Sequence, residues 1–226
     1  MRRRRSLRPQ IVGIITSPTD LELALRMRRP PDLFELRLDC LLPTIAQLED
    51  KLARLRAPFV ITARSPQEGG ANALSSRERG NLLSRFLSDA QYVDVELRSA
   101  VALRSSLRLV EQKKVKRIIS YHNFKSTPPV RVLLTKARAA EAHGANIFKV
   151  ATRTDTPVQL ARLLDFITNE NVGLAVSAMG IGRLGAISRV LLARAGSVLI
   201  YASIDEASDI EGQLSFKQLR ALGIKC

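Results

Sequence analysis

The chain has 226 residues, of which 46% are hydrophobic and 25% are charged, and its net charge is +15 at pH 7. This composition excludes an intrinsically disordered chain, and no apolar run reaches the roughly 18 residues that a membrane-spanning helix needs. The length suits a single domain with one sizeable core.

The two cysteines, Cys40 and Cys226, lie far apart in the sequence and neither has a CxxC partner. This usage favours a reducing cytoplasm and gives neither a disulfide framework nor zinc-ligand spacing. We therefore expect a cytoplasmic protein that binds no metal.

Part of the positive charge lies at the N-terminus, where Arg2 to Arg5 and Arg8 precede the first predicted strand. Such a run is either a solvated tail or an arm that binds nucleic acid. Only 4% of the residues are aromatic, and no basic and aromatic residues alternate as they do where bases are stacked. We expect a flexible tail over residues 1–9 and no nucleic-acid partner, while the positive field would also attract an anionic metabolite.

Eight short runs rich in Val, Ile, Leu, Phe and Tyr predict strands that are buried on both faces. Helical patterns lie between them, and several begin with helix-start signals: Ser17, Ser75 with Glu78 at capping-box spacing, and Thr156 before Pro157. The predicted strands cover residues 11–16, 33–39, 59–64, 92–97, 117–122, 146–152, 172–179 and 197–203.

Eight consecutive strand–helix units predict a single closed (β/α)8 TIM barrel over residues 10–226. With six or seven units, a doubly wound sheet would fit equally well. Functional side chains of a barrel lie at the carboxyl ends of its strands. Polar residues gather at these ends: Glu35, Arg37, Asp39, Arg64, Glu96, Arg98, His122, Lys149 and Arg153.

Lys149 lies inside the apolar run NIFKVAT, which is an unusual place for a lysine. Burying an ammonium is costly unless another group compensates its charge. One interpretation is a strand-end lysine that reaches solvent or pairs with a carboxylate. The other is an amine whose pKa is lowered by burial and nearby positive charge, so that it can attack a carbonyl. The residues alone leave both interpretations open.

His122 ends the fifth predicted strand and is one of only two histidines. Imidazole titrates near neutrality, so a histidine at this position is a candidate for proton transfer. The other histidine, His143, lies near the end of a predicted helix, where a solvated or capping role is expected. Because strands five and six are neighbours in a barrel, His122 and Lys149 would enter the same pocket.

The run GIGRLG at residues 180–185 matches the pattern GxGxxG, follows a predicted strand and precedes a helix. Asp205 lies 20 residues beyond the last glycine, which is the local context of a dinucleotide-binding motif. However, only 41 residues follow Gly185, and a dinucleotide-binding domain would need several more strands. In a barrel these glycines would form an anion-facing loop after strand seven.

Seven motifs follow one another along the chain: ELRLD (35–39), TARSPQEGG (62–70), DVELRS (94–99), ISYHNFKSTP (119–128), IFKVAT (147–152), AMG with ISR (178–189) and EGQLS (211–215). They span nearly the whole sequence after the N-terminal tail. In this order, on eight predicted units, they specifically resemble the type I 3-dehydroquinate dehydratases of the shikimate pathway.

The resemblance implies a barrel that dehydrates 3-dehydroquinate to 3-dehydroshikimate, on the route to chorismate and aromatic amino acids, without metal or organic cofactor. It implies Lys149 as the Schiff-base lysine, His122 as the general acid and base, and Glu68 as the carboxylate paired with that histidine. It also suggests a homodimer. The substrate-binding residues that it implies are Glu35, Arg37, Arg64, Ser208, Gln213 and Arg189, the last of which would hold the substrate carboxylate.

Two stretches depart from the family pattern. Residues 179–189 form a segment about two residues longer than the family shows. The closing loop ASDIEGQ carries Asp209 and Glu211 where the family shows Ser-Ala-Pro-Gly-Gln. This difference leaves the assignment of Ser208 as a substrate-binding residue open. The added carboxylates should weaken the binding of an anionic substrate unless they point outward.

Two other functions fit parts of the same sequence. Another Schiff-base barrel lyase, such as a class I aldolase, would use a lysine at the same position, although the motifs SYHNF and ISR favour the dehydratase. A basic nucleic-acid-binding protein would explain the charge, and its salt-dependent DNA binding would survive removal of residues 1–8.

Overall fold

The computed structural model describes residues 8–205 and 211–224, in which eight strands alternate with eight α-helices. Every predicted strand is present, with ends that differ by at most three residues. The strands are β1 (Gln10–Ile15), β2 (Leu33–Arg37), β3 (Phe59–Thr62), β4 (Tyr92–Glu96), β5 (Lys116–Asn123), β6 (Ile147–Arg153), β7 (Ala175–Ile181) and β8 (Leu199–Ser203). The helices are α1 (Pro18–Arg26), α2 (Ile45–Leu52), α3 (Ser76–Phe86), α4 (Arg104–Gln112), α5 (Val130–Ala142), α6 (Pro157–Thr168), α7 (Gly185–Arg194) and α8 (Phe216–Ala221).

All strands pair in parallel, in the sheet order β7-β6-β5-β4-β3-β2-β1-β8. The sheet curls until β7 and β8 face each other, and two serines bridge this seam. Ser177 Oγ donates a hydrogen bond to Leu199 O (2.8 Å), and Ala178 N donates to Ser197 Oγ (3.0 Å). The chain is therefore the single TIM barrel that the sequence predicts, and the doubly wound dinucleotide-binding fold is excluded.

The capping signals in the sequence act as expected. Ser17, Ser75 and Thr156 each accept a hydrogen bond from the third residue of their helix and complete a capping box. Ser215 does the same at the start of α8. Gly144 follows α5 with φ of +73°, a left-handed conformation that glycine adopts without steric cost. These caps fix where α1, α3, α6 and α8 begin and where α5 ends.

The interior of the barrel changes character along its axis. Near the amino ends of the strands it is filled with apolar side chains, among them Val12, Leu33, Val60, Ile118 and Leu199. Because side chains alternate between the two faces of a strand, the next interior position lies two residues further on. Several of these next positions are polar and buried: Glu35, Thr62, Asp94, Ser120, Lys149 and Ser177. A charged layer therefore rests on an apolar one.

The glycine run 180–185 forms the connection from β7 to α7 and does not present its amides to an anion. Gly185 packs against the loop after β8, since an added Cβ would lie 2.9 Å from Gly212 O. Three amides of the run already have acceptors in the protein: Gly182 N bonds Glu211 O, Arg183 N bonds Asp155 Oδ1 and Leu184 N bonds Thr154 O. The expectation that these glycines form an anion-facing loop is therefore wrong.

Most of the predicted N-terminal tail, residues 1–7, lies outside the described residues, so the division at residue 9 stays a prediction. None of the described helices combines the length and the apolar composition that crossing a bilayer requires.

The serine bridge at the seam gives a test of the fold. We expect Ser197→Ala to lower the free energy of unfolding by about 1–3 kcal/mol, because it leaves the buried amide of Ala178 without an acceptor. Urea unfolding followed by circular dichroism measures the change. Ser84→Ala is the control, since Ser84 is exposed on α3 and its hydroxyl donates to Gly80 O within the same helix. Equal effects of the two substitutions would contradict the role of the bridge.

Candidate active site

A cavity of about 280 Å³ opens where the carboxyl ends of the strands meet. Eight of the nine predicted site residues line it, and the ninth, Ser208, lies outside the described residues. Among residues 8–205 and 211–224 no group of His, Cys, Asp or Glu is arranged to hold a metal ion. The lining residues from the prediction are Glu35, Arg37, Arg64, Glu68, His122, Lys149, Arg189 and Gln213.

Lys149 lies inside the barrel on β6 with 4% of its surface exposed. Its Nζ is 3.1 Å from Glu35 Oε1 and 3.0 Å from Asp94 Oδ2. The ammonium also lies 3.7 Å from the centre of the Tyr201 ring, a favourable cation–π contact. The interpretation that this lysine pairs with carboxylates is confirmed, and the interpretation that it reaches solvent is wrong. Both of these salt-bridge partners are carboxylates.

Asp94 connects this lysine to a second buried cation, Arg64. Arg64 donates two hydrogen bonds to Asp94, at 3.2 and 3.0 Å, and others to Glu96 (3.3 Å) and Ser120 (2.8 Å). Burial alone would raise the pKa of Asp94, but the charges of Arg64 and Lys149 outweigh it and hold the pKa below its usual range. Asp94 therefore stays ionised between two cations.

His122 and Glu68 form the second chemical group of the cavity. Glu68 Oε2 lies 2.8 Å from His122 Nδ1 and accepts the His122 backbone N–H at 3.1 Å. The Phe124 ring stacks on the imidazole, with centres 6.2 Å apart and planes inclined by 13°. Glu68 is thus in place to select the tautomer of the imidazole.

Burial shifts both members of this pair toward their neutral forms. It raises the pKa of Glu68 to about 7, and the nearby charge of Glu96 adds to the effect. It lowers the pKa of His122 well below its ordinary value, and the positive charges of Arg64 and Lys149 lower it further. The imidazole is therefore neutral at pH 7 and available as a proton acceptor.

His122 and Lys149 are placed together by the pairing of β5 with β6. Ser120 is the register partner of Lys149, so His122 lies two residues nearer the carboxyl end of the neighbouring strand. Two residues correspond to about 6.6 Å along a strand, and residues two apart share a face. The expectation that the two side chains enter one pocket is confirmed.

Arg189 is a buried cation on α7 whose hydrogen bonds all go to uncharged acceptors. It is 3% exposed, and its pKa is lowered to about 10 by burial, so it is charged at neutral pH. Among the described residues no carboxylate forms an ion pair with it. The acceptors are the carbonyl oxygens of Tyr201, Gly180, Gly185 and Gly212. Its charge is uncompensated, which favours the binding of an anion in the cavity.

Glu211, the added acid of the closing loop, does not line the cavity. Its carboxylate lies 3.2 Å from Arg153 Nη2. The charge of Glu211 is therefore paired with a cation of the protein. Asp209, the other added acid, lies outside the described residues.

A model of the type I 3-dehydroquinase family matches residues 13–222. The chain belongs to this family. It is 34% identical over 195 residues to the 3-dehydroquinate dehydratase of Pyrococcus abyssi, covering 84% of this chain and 86% of that protein. Members of the type I 3-dehydroquinase family with this activity are hydro-lyases, and the chain is an enzyme of that class.

Solved structures of family members share the fold. The 3-dehydroquinate dehydratase of Geobacillus kaustophilus HTA426 superposes with a TM-score of 0.82 at 28% identity, covering 95% of this chain and 89% of that one. The enzyme from Aquifex aeolicus VF5 gives a TM-score of 0.80 at 28% identity, covering 94% and 96%.

Sequence reasoning missed two residues of the site. Asp94 makes an ion pair with Lys149, and Tyr201 lies beneath the ammonium. A signal for Asp94 was present, because Asp94 and Glu96 are two acids at a spacing of two within an apolar strand. Tyr201 gave none, since a tyrosine in a buried strand is ordinary.

The pKa of Glu68 predicts how activity depends on pH. Below a pH of about 7 the Glu68 carboxyl is protonated. It then donates a hydrogen bond to His122 Nδ1 and no longer accepts one from it. Above that pH the carboxylate accepts from Nδ1–H and leaves Nε2 basic. We expect kcat/KM to rise with pH through this value in the native enzyme, as measured by initial rates from pH 5 to 9. The two groups titrate as a coupled pair, so the midpoint belongs to both.

Glu68→Gln should remove this rise and lower activity, since positioned proton transfer contributes about 10² to 10⁴ in rate. Glu49→Gln, on the surface of α2, is the matched control and should keep the native profile. A Glu68→Gln enzyme with the native profile would show that Glu68 does not govern the histidine.

Proposed function

We propose that this chain converts 3-dehydroquinate to 3-dehydroshikimate and water through a Schiff base on Lys149, within the shikimate pathway to chorismate and aromatic amino acids. One observation carries the proposal. A buried lysine amine, a neutral imidazole and a guanidinium that has no ion-pair partner among the described residues face the same cavity of about 280 Å³. These are an amine to attack a ketone, a base to move a proton and a cation to hold a carboxylate.

Arg189 is the group that would hold the substrate carboxylate. Its buried charge has no counter-ion among the described residues, and a charge-assisted contact with a carboxylate supplies one. Gln213 and Arg37 line the same cavity and would bind hydroxyl groups of the ring. Fixing the carboxylate fixes the adjacent C1, and with it the reacting C2 and C3.

Lys149 would add to the C3 ketone. The ammonium must first lose a proton, and Glu35 lies within hydrogen-bonding distance to accept it. Addition of the amine and loss of one water give a protonated imine. This imine withdraws electrons from C2 and makes its proton acidic, so that one difficult elimination becomes several easier steps.

His122 would take the C2 proton, which its neutral state allows, and an enamine forms. The same proton then goes to the C1 hydroxyl, which leaves as water while the C1–C2 double bond forms. Glu68 stabilises the imidazolium that exists between these two transfers. Water finally hydrolyses the product imine and regenerates the amine of Lys149.

The family match favours the dehydratase over a class I aldolase, which would use a lysine in the same position. An ultraviolet assay for the conjugated enone product, with 3-dehydroquinate as substrate, tests the reaction directly. The homodimer, the cytoplasmic location and the lack of a nucleic-acid partner stay predictions.

Borohydride tests the covalent step. With substrate present, reduction should trap an adduct on Lys149 that is found by mass spectrometry of the peptide. We expect Lys149→Ala to abolish both adduct and turnover while the fold persists, and His122→Ala to accumulate adduct with very slow turnover. Lys113→Ala, an exposed lysine after α4, should behave as the native enzyme. An active native enzyme without any adduct would rule out the imine.

Arg189→Lys tests the carboxylate site. Lysine keeps a positive charge but lacks the planar fork that binds a carboxylate with two hydrogen bonds. Charge-assisted hydrogen bonds are worth about 1.5–3 kcal/mol, so we expect KM for 3-dehydroquinate to rise by at least about tenfold. Steady-state kinetics measures this change, and circular dichroism checks the fold. An unchanged KM in a folded variant would assign carboxylate binding elsewhere.

A further inference from the structure

Asp39 is a fully buried carboxylate that does not line the cavity and takes no part in the steps above. It follows β2, and both of its oxygens accept hydrogen bonds. Oδ1 accepts from the Arg64 amide (3.0 Å) and Arg37 Nε (3.0 Å). Oδ2 accepts from the Ala71 amide (3.1 Å), Arg37 Nη2 (2.8 Å) and the Cys40 thiol (3.6 Å). One carboxylate thus holds two backbone amides that are seven residues apart.

Those two amides are the ends of loop 64–71, which connects β3 toward α3 and carries Glu68. The loop is closed on itself, because the amides of Glu68 and Gly70 both donate to Ser65 O at 2.9 Å. Gly70 has no room for a side chain, since an added Cβ would overlap the carbonyl oxygen of Arg64. The loop is therefore a compact unit whose position depends on where its ends are held.

The middle of the loop reaches the imidazole. Glu68 accepts from both Nδ1 and the backbone amide of His122. Arg37, itself held by Asp39, donates to Gly69 O at 2.9 Å. A displacement of loop 64–71 would therefore move Glu68 away from His122 and let water reach the ring.

We infer that Asp39 is a positioning residue for the general acid–base pair, because its carboxylate holds both ends of loop 64–71 and so places Glu68 against His122. The inference rests on the proposed function, in which His122 transfers the protons. It assigns no direct contact with substrate to Asp39.

An amide cannot replace this carboxylate. Each oxygen of Asp39 faces one backbone N–H and one guanidinium N–H, so both positions must be acceptors. In Asp39→Asn the side-chain NH₂ would point at two donors, and one end of the loop would lose its acceptor. Burial alone would raise the pKa of Asp39, but its bonds to Arg37 and to the two amides lower it, so the group is ionised at neutral pH.

The test compares Asp39→Asn with the native enzyme in three measurements: steady-state kinetics, borohydride trapping on Lys149, and titration of His122 by NMR. Only two histidines are present, and His143→Asn identifies the His122 signal. Misplacement of a catalytic group by about 1 Å can cost 10²-fold, so we expect kcat to fall about 10²-fold, with a smaller rise in KM because Asp39 also holds Arg37. Adduct should form on Lys149 in native yield. The pKa of His122 should rise toward its ordinary value, because the burial that lowers it is lost.

Asp32→Asn is the matched control. Asp32 Oδ2 accepts one bond, from the Ile11 amide (2.7 Å), near the amino ends of the strands, and the asparagine oxygen can replace it. This variant should keep the native kcat and the native His122 titration. If Asp39→Asn does not fold, Gly70→Ala opens the same loop while Asp39 is intact. We expect this variant to show the same fall in kcat, a native yield of adduct on Lys149 and the same rise in the pKa of His122.

A folded loop variant with native kcat and a native His122 titration would overturn the inference. Loss of the Lys149 adduct in parallel with kcat would also overturn it, because the defect would then lie in the lysine. If the native enzyme itself forms neither product nor adduct, the proposed function fails. The His122 titration of the two loop variants still decides whether Asp39 positions the pair.

Discussion

Asp94 lies inside the barrel between two cations, the guanidinium of Arg64 and the ammonium of Lys149, and all three side chains are almost completely buried. Removing one member of a buried charge pair costs about 3–5 kcal/mol, since it leaves the other charge uncompensated. The three charges, which come from the loop after β3 and from the strands β4 and β6, therefore stabilise one another inside the barrel. The contacts that make this burial tolerable also fix the position of the lysine.

This charged layer is supported by the apolar layer beneath it. Strand positions facing the interior near the amino ends pack as a hydrophobic core, and those two residues further on carry the chemistry. The reactive groups are thus on rigid strands, while Glu68 and Gln213 come from loops. The strands restrict the movement of the nucleophile, and the loops complete the cavity around the ligand.

Burial explains the opposite shifts of Glu68 and His122. Each group loses hydration when it is charged, so the pKa of the acid rises and the pKa of the base falls. Near neutral pH the pair holds little net charge, and the imidazole is a free base close to the lysine. Arg189 differs from this pair, because burial lowers its pKa only to about 10 and the guanidinium stays charged at neutral pH. Its charge persists without a counter-ion in the described residues, and the cavity consequently favours an anionic substrate.

The sequence by itself determined the barrel and most of the site. Eight buried runs alternating with capped helices allow few other folds, and strands that run in parallel bring the ends of β2, β3, β5 and β6 to one rim. Because side chains alternate along a strand and β5 neighbours β6, the sequence alone predicts Lys149 and His122 in the same pocket. The local pattern was enough for this, since it follows from the periodicity of strands.

The tertiary structure decided which groups touch. Glu35 and Lys149 are 114 residues apart, and no local spacing shows that this lysine pairs with Glu35 and Asp94. The glycine run 180–185 was misread for a similar reason, because its amides are taken by acceptors from loops that close over it only in the folded chain. Contacts of this kind depend on strand register and loop packing, which join distant segments, and a pattern read along one segment does not contain them.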